Sequence, residues 1–349
     1  MVKPDTHALA AVRRLQQIEQ ARSARLDALR DEPAVTLDGT LITLQANVGL
    51  ASDTAGAQAS GATGVGLYRS EFASMMCESF PSEDEQVVAY RQVLQSIAPA
   101  PVTMRTLDVG SVKSLPYFPV KEDNPAPGWR GIRMTLDHPA LLSTQMRAML
   151  RASVDLGNLR LLLPTVSSVD EVDHAREILE RAMVEMRQES REVARPELGV
   201  MLEVPAALYQ IEALAKRCDF FSLGTNDLTQ YLLAVDRNNA RVASRHDSSH
   251  PAVLRALRFA VKECQRLNKP VSVCGDMAGE PVAAALLVAM GVRFLSMAPP
   301  NLPPVKAAIR SMALAGAVEQ LGQILQLETA AAVRAHVSTV AADRADPRG

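Results

Sequence analysis

The sequence predicts an α/β chain folded as a single (β/α)8 barrel, and three observations carry that prediction. Short apolar runs of strand type alternate with stretches of helical spacing, the pattern of a parallel sheet. The runs number eight, the count that closes a barrel. The 349 residues accommodate one barrel of about 250 residues with helices at either end. No internal repeat or low-complexity linker divides the chain.

The strand-type runs fall at residues 41–48, 65–68, 102–107, 159–163, 198–203, 220–223, 271–274 and 294–297. Helical spacing marks 82–97, 139–152, 169–187, 206–216, 251–267 and 281–290 between them. In front, residues 7–31 read as an amphipathic helix rich in Arg and Gln, stopped by Asp31-Glu-Pro33. The expected organisation is a connecting helix over 1–33, the barrel over 34–315 and a helical tail over 316–349. The tail is Ala- and Gln-rich, reads as one or two helices, and is expected to fray from Ala341 onward.

Composition excludes several classes of function. With 37 basic and 39 acidic residues, a net charge of −2 gives no attraction to nucleic acid or to a membrane surface. No apolar run approaches the roughly 18 residues of a membrane span, and the start, Met1-Val-Lys-Pro-Asp-Thr-His7, lacks a signal-peptide core. Cys77, Cys218, Cys264 and Cys274 are scattered without paired spacing. That argues against a disulfide framework or a zinc site and for a reducing, cytoplasmic setting.

One stretch says more than the rest: Asp219-Phe-Phe-Ser-Leu-Gly-Thr-Asn-Asp-Leu-Thr-Gln-Tyr-Leu-Leu-Ala-Val-Asp-Arg237. Its apolar start reads as a buried strand that stops at Gly224 and delivers Asn226 and Asp227 side by side, with Arg237 following. An amide, a carboxylate and a guanidinium on one strand-to-helix connection can bind a metal and a small anion together.

In a barrel, residues at the C-terminal strand ends face the site. Those ends supply Arg69 and Glu71 after the second strand, then Arg105 and Asp108, with Lys113 soon after, from the third. The loop beyond carries Trp129, Arg130 and Arg133. Glu203 ends the fifth strand, Asn226 and Asp227 follow the sixth, and Cys274 with Asp276 ends the seventh. Arginine forks bind phosphate and carboxylate bidentately, as lysine does not. Glu203 and Asp227 can share Mg²⁺, which typically takes one or two carboxylates plus substrate oxygens. The set therefore suits a substrate bearing both phosphate and carboxylate, with Cys274 as a thiol acid for protonating carbon. Blander roles are expected nearby. Cys77, Cys218 and Cys264 read as small core hydrophobes, and Met201 and Met297 as core fillers. His250 reads as a helix start, and Asp236 as the residue orienting Arg237. Lys113 and Arg133 divide between site and structure, and Trp129, the sole Trp, stands where it can report on the site.

The motifs resemble those of the phosphoenolpyruvate-using enzymes, and most closely the C-terminal phosphoenolpyruvate-binding domain of Enzyme I in its nitrogen-system form. The similar segments are Gly66-Leu-Tyr-Arg-Ser-Glu-Phe72, Arg105-Thr-Leu-Asp-Val-Gly110, Gly128-Trp-Arg-Gly-Ile-Arg133, Val200-Met-Leu-Glu-Val-Pro205, Gly224-Thr-Asn-Asp227 and Cys274-Gly275. Leu232-Leu-Ala-Val-Asp-Arg-Asn-Asn239 and Ser249-His-Pro-Ala252 look most like the nitrogen-system form. The resemblance implies a TIM barrel that binds phosphoenolpyruvate and Mg²⁺ and passes the phosphoryl group to a histidine, releasing pyruvate. It implies phosphate binding by Arg69 and Arg105, metal binding by Glu203 and Asp227, and carboxylate binding by Asn226 and Arg237. It makes Cys274 the acid, with Arg130 and Lys113 as further site residues, and it implies a homodimer.

The match breaks at Gly110-Ser-Val-Lys113, where the family usually reads Gly-Gly-Asp-Lys or Gly-Ala-Asp-Lys. It breaks again at Gly275-Asp276, where Gly-Glu is usual, and at Ala126-Pro127, where a bulky apolar pair is common. None of the histidines at 7, 138, 174, 246, 250 and 336 stands in the Thr-Ser-His context of the family's phosphocarrier histidine. The acceptor is therefore expected on a separate phosphocarrier domain, supplied in trans. Two other classes compete: a non-catalytic phosphoenolpyruvate sensor, and a barrel lyase working through a pyruvate enolate. The lyase leaves the phosphate arginines without a purpose.

Overall fold

The computed structural model describes residues 14, 26, 28–110, 115–122 and 127–345. Within them eight parallel strands close a barrel in strict chain order, β1 pairing with β8. The strands are β1 Thr43–Val48, β2 Val65–Arg69, β3 Val102–Arg105, β4 Leu159–Leu163, β5 Glu197–Leu202, β6 Phe220–Leu223, β7 Val271–Val273 and β8 Phe294–Met297. Each expected run becomes a strand, with ends displaced by one or two residues. At the C-terminal ends of β3, β5 and β7 the chain leaves the ladder early, where side chains turn toward the mouth.

Alternation within the strands sorts the core into two layers. Leu67, Leu162, Met201, Phe220 and Cys274 form a cluster of their own inside the barrel. Their neighbours Phe221, Leu223, Val200, Leu161 and Leu163 join the larger outer core under the helices. Near the N-terminal end of the barrel the Arg160 guanidinium stacks 4.0 Å from the Phe220 ring centroid. It is also paired with Glu197 at 2.5 Å, so the cation has both an aromatic face and a carboxylate.

The outer layer follows from helical signals in the chain. The helices are α1 Asp53–Ala59, α2 Glu71–Met75, α3 Glu83–Ile97, α4 Ile132–Asp137, α5 Pro139–Ala152, α6 Val169–Gln188, α7 Pro205–Leu208, α8 Ile211–Ala215, α9 Thr225–Leu233, α10 Pro251–Arg266, α11 Pro281–Met290 and α12 Leu302–Arg310. Capping boxes start α3 (Ser82 with Glu85) and α6 (Ser168 with Glu171), each satisfying two end amides. His250 caps α10, its Nδ1 accepting from the Ala252 amide at 3.2 Å, as its place before Pro251 suggests. The stretch expected as one helix over 206–216 is broken into α7 and α8 around Tyr209 and Gln210.

Two further helices, α13 Leu314–Ile324 and α14 Ala330–Ala345, follow the barrel. The last helix is continuous through Ala341 to Ala345; 346–349 lie outside the described residues. The expected helix over 7–31 lies almost wholly outside them too. The segment that leads into β1 is held to α12, where buried Lys306 donates to the Arg30 carbonyl at 2.5 Å and Arg310 to that of Pro33 at 2.6 Å. Cys218 and Cys264 are buried, as are Met201 and Met297, whereas Cys77 is only partly so. No helix among the described residues is long and apolar enough to cross a membrane.

Candidate active site

The C-terminal mouth of the barrel holds a cavity of about 390 Å³. Arg69, Glu71, Arg105, Glu203, Asn226, Asp227, Arg237, Cys274 and Asp276 line it, with Leu67, Phe72, Met75 and Met201 as apolar wall. Seven residues singled out from the sequence for substrate, metal or acid roles thus face one space: Arg69, Arg105, Glu203, Asn226, Asp227, Arg237 and Cys274. Arg130 stands behind the wall, and Lys113 lies outside the described residues.

Ion pairs between strands fix the guanidinium groups. Arg105, from the end of β3, pairs with Glu71 on α2 at 2.5 Å and with Asp108 at 3.1 Å, and all three are buried. Asp108 also receives Arg130, through Nε at 3.1 Å and Nη2 at 3.0 and 2.9 Å, a bidentate fork. The far side of Arg130 reaches Asp227 at 3.3 Å and the Tyr231 hydroxyl at 3.5 Å. Arg237 approaches Asp227 at 3.3 Å as well. Arg69, at the end of β2, has no ion-pair partner among the described residues. Burial opposes charge on Arg105 and Arg130, but the carboxylates around them outweigh it and raise both pKa values. Both stay cationic at any working pH.

The acidic side is under opposite stress. Burial pushes the Glu203 carboxyl up to about 8; the charges of Asp227 and Asp108 add to this, and Arg130 and Arg105 resist it. Glu203 receives the Thr165 amide on Oε1 at 2.7 Å. Asn226 and Asp227 sit in the first turn of α9, where the helix dipole favours a carboxylate. Asn226 is set by its neighbours: its Oδ1 accepts from the Asp276 amide at 2.9 Å, and its carbonyl meets His246 Nε2 at 3.0 Å. Gly275 is needed beside it, because a Cβ there would lie 2.0 Å from Thr225 Oγ1 and 3.0 Å from Asn226 Oδ1.

Cys274 is buried yet opens on the cavity. The Ser222 hydroxyl donates to its Sγ at 3.3 Å, and the thiol faces the Leu223 carbonyl at 3.7 Å. Burial raises its pKa; the Ser222 hydroxyl works against that and the Glu203 charge adds to it. The thiol is therefore held neutral, the form that can give up a proton.

Some expectations change. Asp236 does not orient Arg237; its carboxylate accepts from the Asn238 amide at 2.9 Å, a short-range turn bond that outcompetes a longer reach. Arg133 is structural, donating to the Pro127 and Gly128 carbonyls at 2.7 and 3.3 Å. Trp129 packs against Phe118 and His138, with ring centroids at 5.9 and 5.3 Å. Two residues carry more than the sequence reading gave them. Asp108 stands among the strand-end residues there without a role, and Thr165, just past β4, is passed over although the strand-end rule reaches it.

The model of the PEP-utilising enzyme PEP-binding domain matches residues 23–314. The chain belongs to that family. Among curated relatives, "Phosphoenolpyruvate-dependent phosphotransferase system" of Escherichia coli K12 is 45% identical over 341 residues, covering 97% of this chain and 45% of the relative. "Phosphoenolpyruvate-protein phosphotransferase" of Geobacillus stearothermophilus is 40% identical over 332 residues, covering 95% of this chain and 57% of the relative. The chain thus spans about half the length of these family members. A solved citrate lyase from Burkholderia xenovorans LB400 shares the fold at a TM-score of 0.50 and 16% identity, covering 92% of this chain and 97% of that one.

The carboxylate pair fits a divalent cation on chemical grounds. Two acidic groups press on one another in a buried wall, with Glu203 raised to about 8 largely by burial and by Asp227. A hard cation relieves that repulsion, and the remaining positions suit substrate oxygens and water.

Proposed function

We propose that this chain binds phosphoenolpyruvate with Mg²⁺ and passes its phosphoryl group to a histidine of a phosphocarrier domain, releasing pyruvate. The observation that carries the reading is the convergence of Arg69, Arg105, Arg237, Glu203, Asp227, Asn226 and Cys274 on one cavity of about 390 Å³. Names of the family relatives agree with it.

Arg69 and Arg105 bind the phosphate, and Asn226 with Arg237 binds the carboxylate at the other end. That two-ended grip places the bridging oxygen and C2 between them and so fixes the methylene carbon that branches from C2. Arg130 keeps Asp108 and Asp227 in register behind the substrate. Glu203 and Asp227 would hold Mg²⁺, which would supply charge stabilisation for the departing phosphoryl group. As the bond from phosphorus to the bridging oxygen breaks, a bond to the histidine nitrogen forms, and the electrons left on oxygen make an enolate. The Cys274 Sγ–H gives its proton to the terminal carbon, yielding pyruvate and a thiolate that solvent reprotonates. Lys113 belongs to the same proposal as an additional phosphate contact. Domain limits at 34–315, a homodimer and a cytoplasmic setting belong to it too, on the resemblance to the family.

The test is to incubate the chain with phosphoenolpyruvate, Mg²⁺ and a separately supplied phosphocarrier domain, following pyruvate and phosphohistidine together. Equal yields of the two support the reading. Substrate binding with no transfer to any carrier would leave a sensor, and no binding at all would remove both.

A further inference from the structure

Thr165 stands two residues beyond the last residue of β4 with φ of 52°, in the left-handed region where a β-branched residue is a true outlier. Such a conformation persists only where surrounding contacts impose it, and it concentrates at functional sites. Those contacts are present, on both the amide and the hydroxyl of Thr165.

The backbone N–H of Thr165 donates to Glu203 Oε1 at 2.7 Å, a bond that the left-handed turn aims across β4 into β5. Its hydroxyl works in the other direction, accepting from the Ile132 amide at 3.1 Å and donating to the Arg130 carbonyl at 3.4 Å. Between those two residues lies Gly131, itself left-handed at φ 58°, where a Cβ would fall 2.1 Å from Thr165 Oγ1. The hydroxyl thus occupies the space a side chain at 131 would need. One buried residue fastens both the carboxylate offered to the metal and the loop that presents Arg130.

We infer that Thr165 is a positioning residue for the metal carboxylate Glu203 and for Arg130. This rests on the reading of the cavity as a phosphoenolpyruvate and metal site. Its hydroxyl locks the Arg130–Ile132 turn, whose Arg130 pairs with Asp227, and its amide sets Glu203, so both carboxylates offered to the metal are already in place. A residue supporting a metal ligand at one remove commonly changes metal affinity by about 10- to 100-fold when lost.

The test compares Thr165→Val, which keeps shape and β-branching but loses the hydroxyl, with Thr165→Ser, which keeps the hydroxyl. Mn²⁺ binding is titrated calorimetrically with phosphoenolpyruvate present, and amide exchange over the 130–132 turn is followed in the ligand-free chain. Thermal midpoints are recorded for each. The expected result is weaker Mn²⁺ binding by about tenfold or more in Thr165→Val, with faster exchange over the turn and restoration of both in Thr165→Ser. If the unaltered chain binds Mn²⁺ but the Val and Ser variants match each other, the inference falls and the functional reading stands. A lowered thermal midpoint with unchanged Mn²⁺ affinity in Thr165→Val would likewise reduce Thr165 to a structural residue. If the unaltered chain takes up no Mn²⁺ with the substrate, the functional reading falls and takes this inference with it.

Discussion

Asp108 and Arg130 meet through both carboxylate oxygens at 2.9–3.1 Å, and the same carboxylate holds Arg105 at 3.1 Å. One fully buried acid therefore orients two of the guanidinium groups at the mouth. Replacing it by the near-isosteric amide in Asp108→Asn leaves two buried cations short of counter-charge. The expected cost is about 3 kcal/mol of unfolding free energy, together with weaker phosphoenolpyruvate binding. Denaturant unfolding and calorimetry measure the two effects separately.

Cys274→Ala removes the thiol without touching an arginine or a carboxylate of the cavity. Phosphoenolpyruvate binding should persist, while pyruvate formation falls by about 10²- to 10⁴-fold, the range for a lost general acid. Unchanged pyruvate release would remove Cys274 from the acid role.

The pH dependence of that thiol has a definite sign. Folding raises the Cys274 pKa, first through burial. The contribution to stability is therefore present below the ordinary thiol range and lost as pH rises through the raised value. Alkylation of Cys274 in the folded chain, followed by peptide mass spectrometry, should accelerate only above the pH at which a free thiol reacts. Cys218 and Cys264, both pushed up to about 12 mainly by burial, should likewise react only in alkaline solution. A Cys274 rate that levels off at neutral pH would show a thiolate and contradict the assignment.

Gly275→Ala drives a methyl group toward Thr225 and Asn226. The expected penalty is about 1–3 kcal/mol of stability, typical of overpacking. The larger loss should be in binding the substrate carboxylate, because Asn226 must give way. A variant that binds phosphoenolpyruvate as tightly as the original chain would show that Asn226 tolerates displacement.

Chelation of divalent metal should leave the fold intact. Among the described residues no cluster of three or more His, Cys, Asp or Glu side chains is placed to hold an ion, so the cation depends on substrate oxygens to complete its shell. A chelator is expected to abolish phosphoenolpyruvate binding while the melting midpoint without substrate stays put. A large fall in that midpoint would point to a structural metal instead.

The barrel was legible because strand and helix periods differ and because eight successive β-α repeats are the count of a closed (β/α)8 barrel. Phe220–Leu223 and Leu159–Leu163 are apolar runs interrupted only by Ser222 and Arg160, close to the near-continuous pattern of strands buried on both faces. The site was legible for a related reason: polar residues that interrupt an apolar chain at strand ends have one place to go. Thr165 escaped because its influence lies in a backbone angle and in a hydroxyl bonded to peptide groups, neither of which leaves a compositional trace. The support given by Asp108 escaped for another reason. Its partner Arg130 comes from a different loop, and sequence spacing does not reveal which acid a distant arginine will choose. The misplaced role of Asp236 shows the converse, since adjacency to Arg237 suggested a contact that turn geometry forbids.

The clasps at the mouth join β2 to β3 through Glu71 and Arg105, and the β3 end to α9 through Asp108, Arg130 and Asp227. Apart from Arg105 with Asp108 at the end of β3, these links cross from one segment of chain to another. A single charge reversal strands its partner, and only exchanges made in matched sets keep the ring neutral. Transplanting such a mouth to another barrel therefore means moving several segments together.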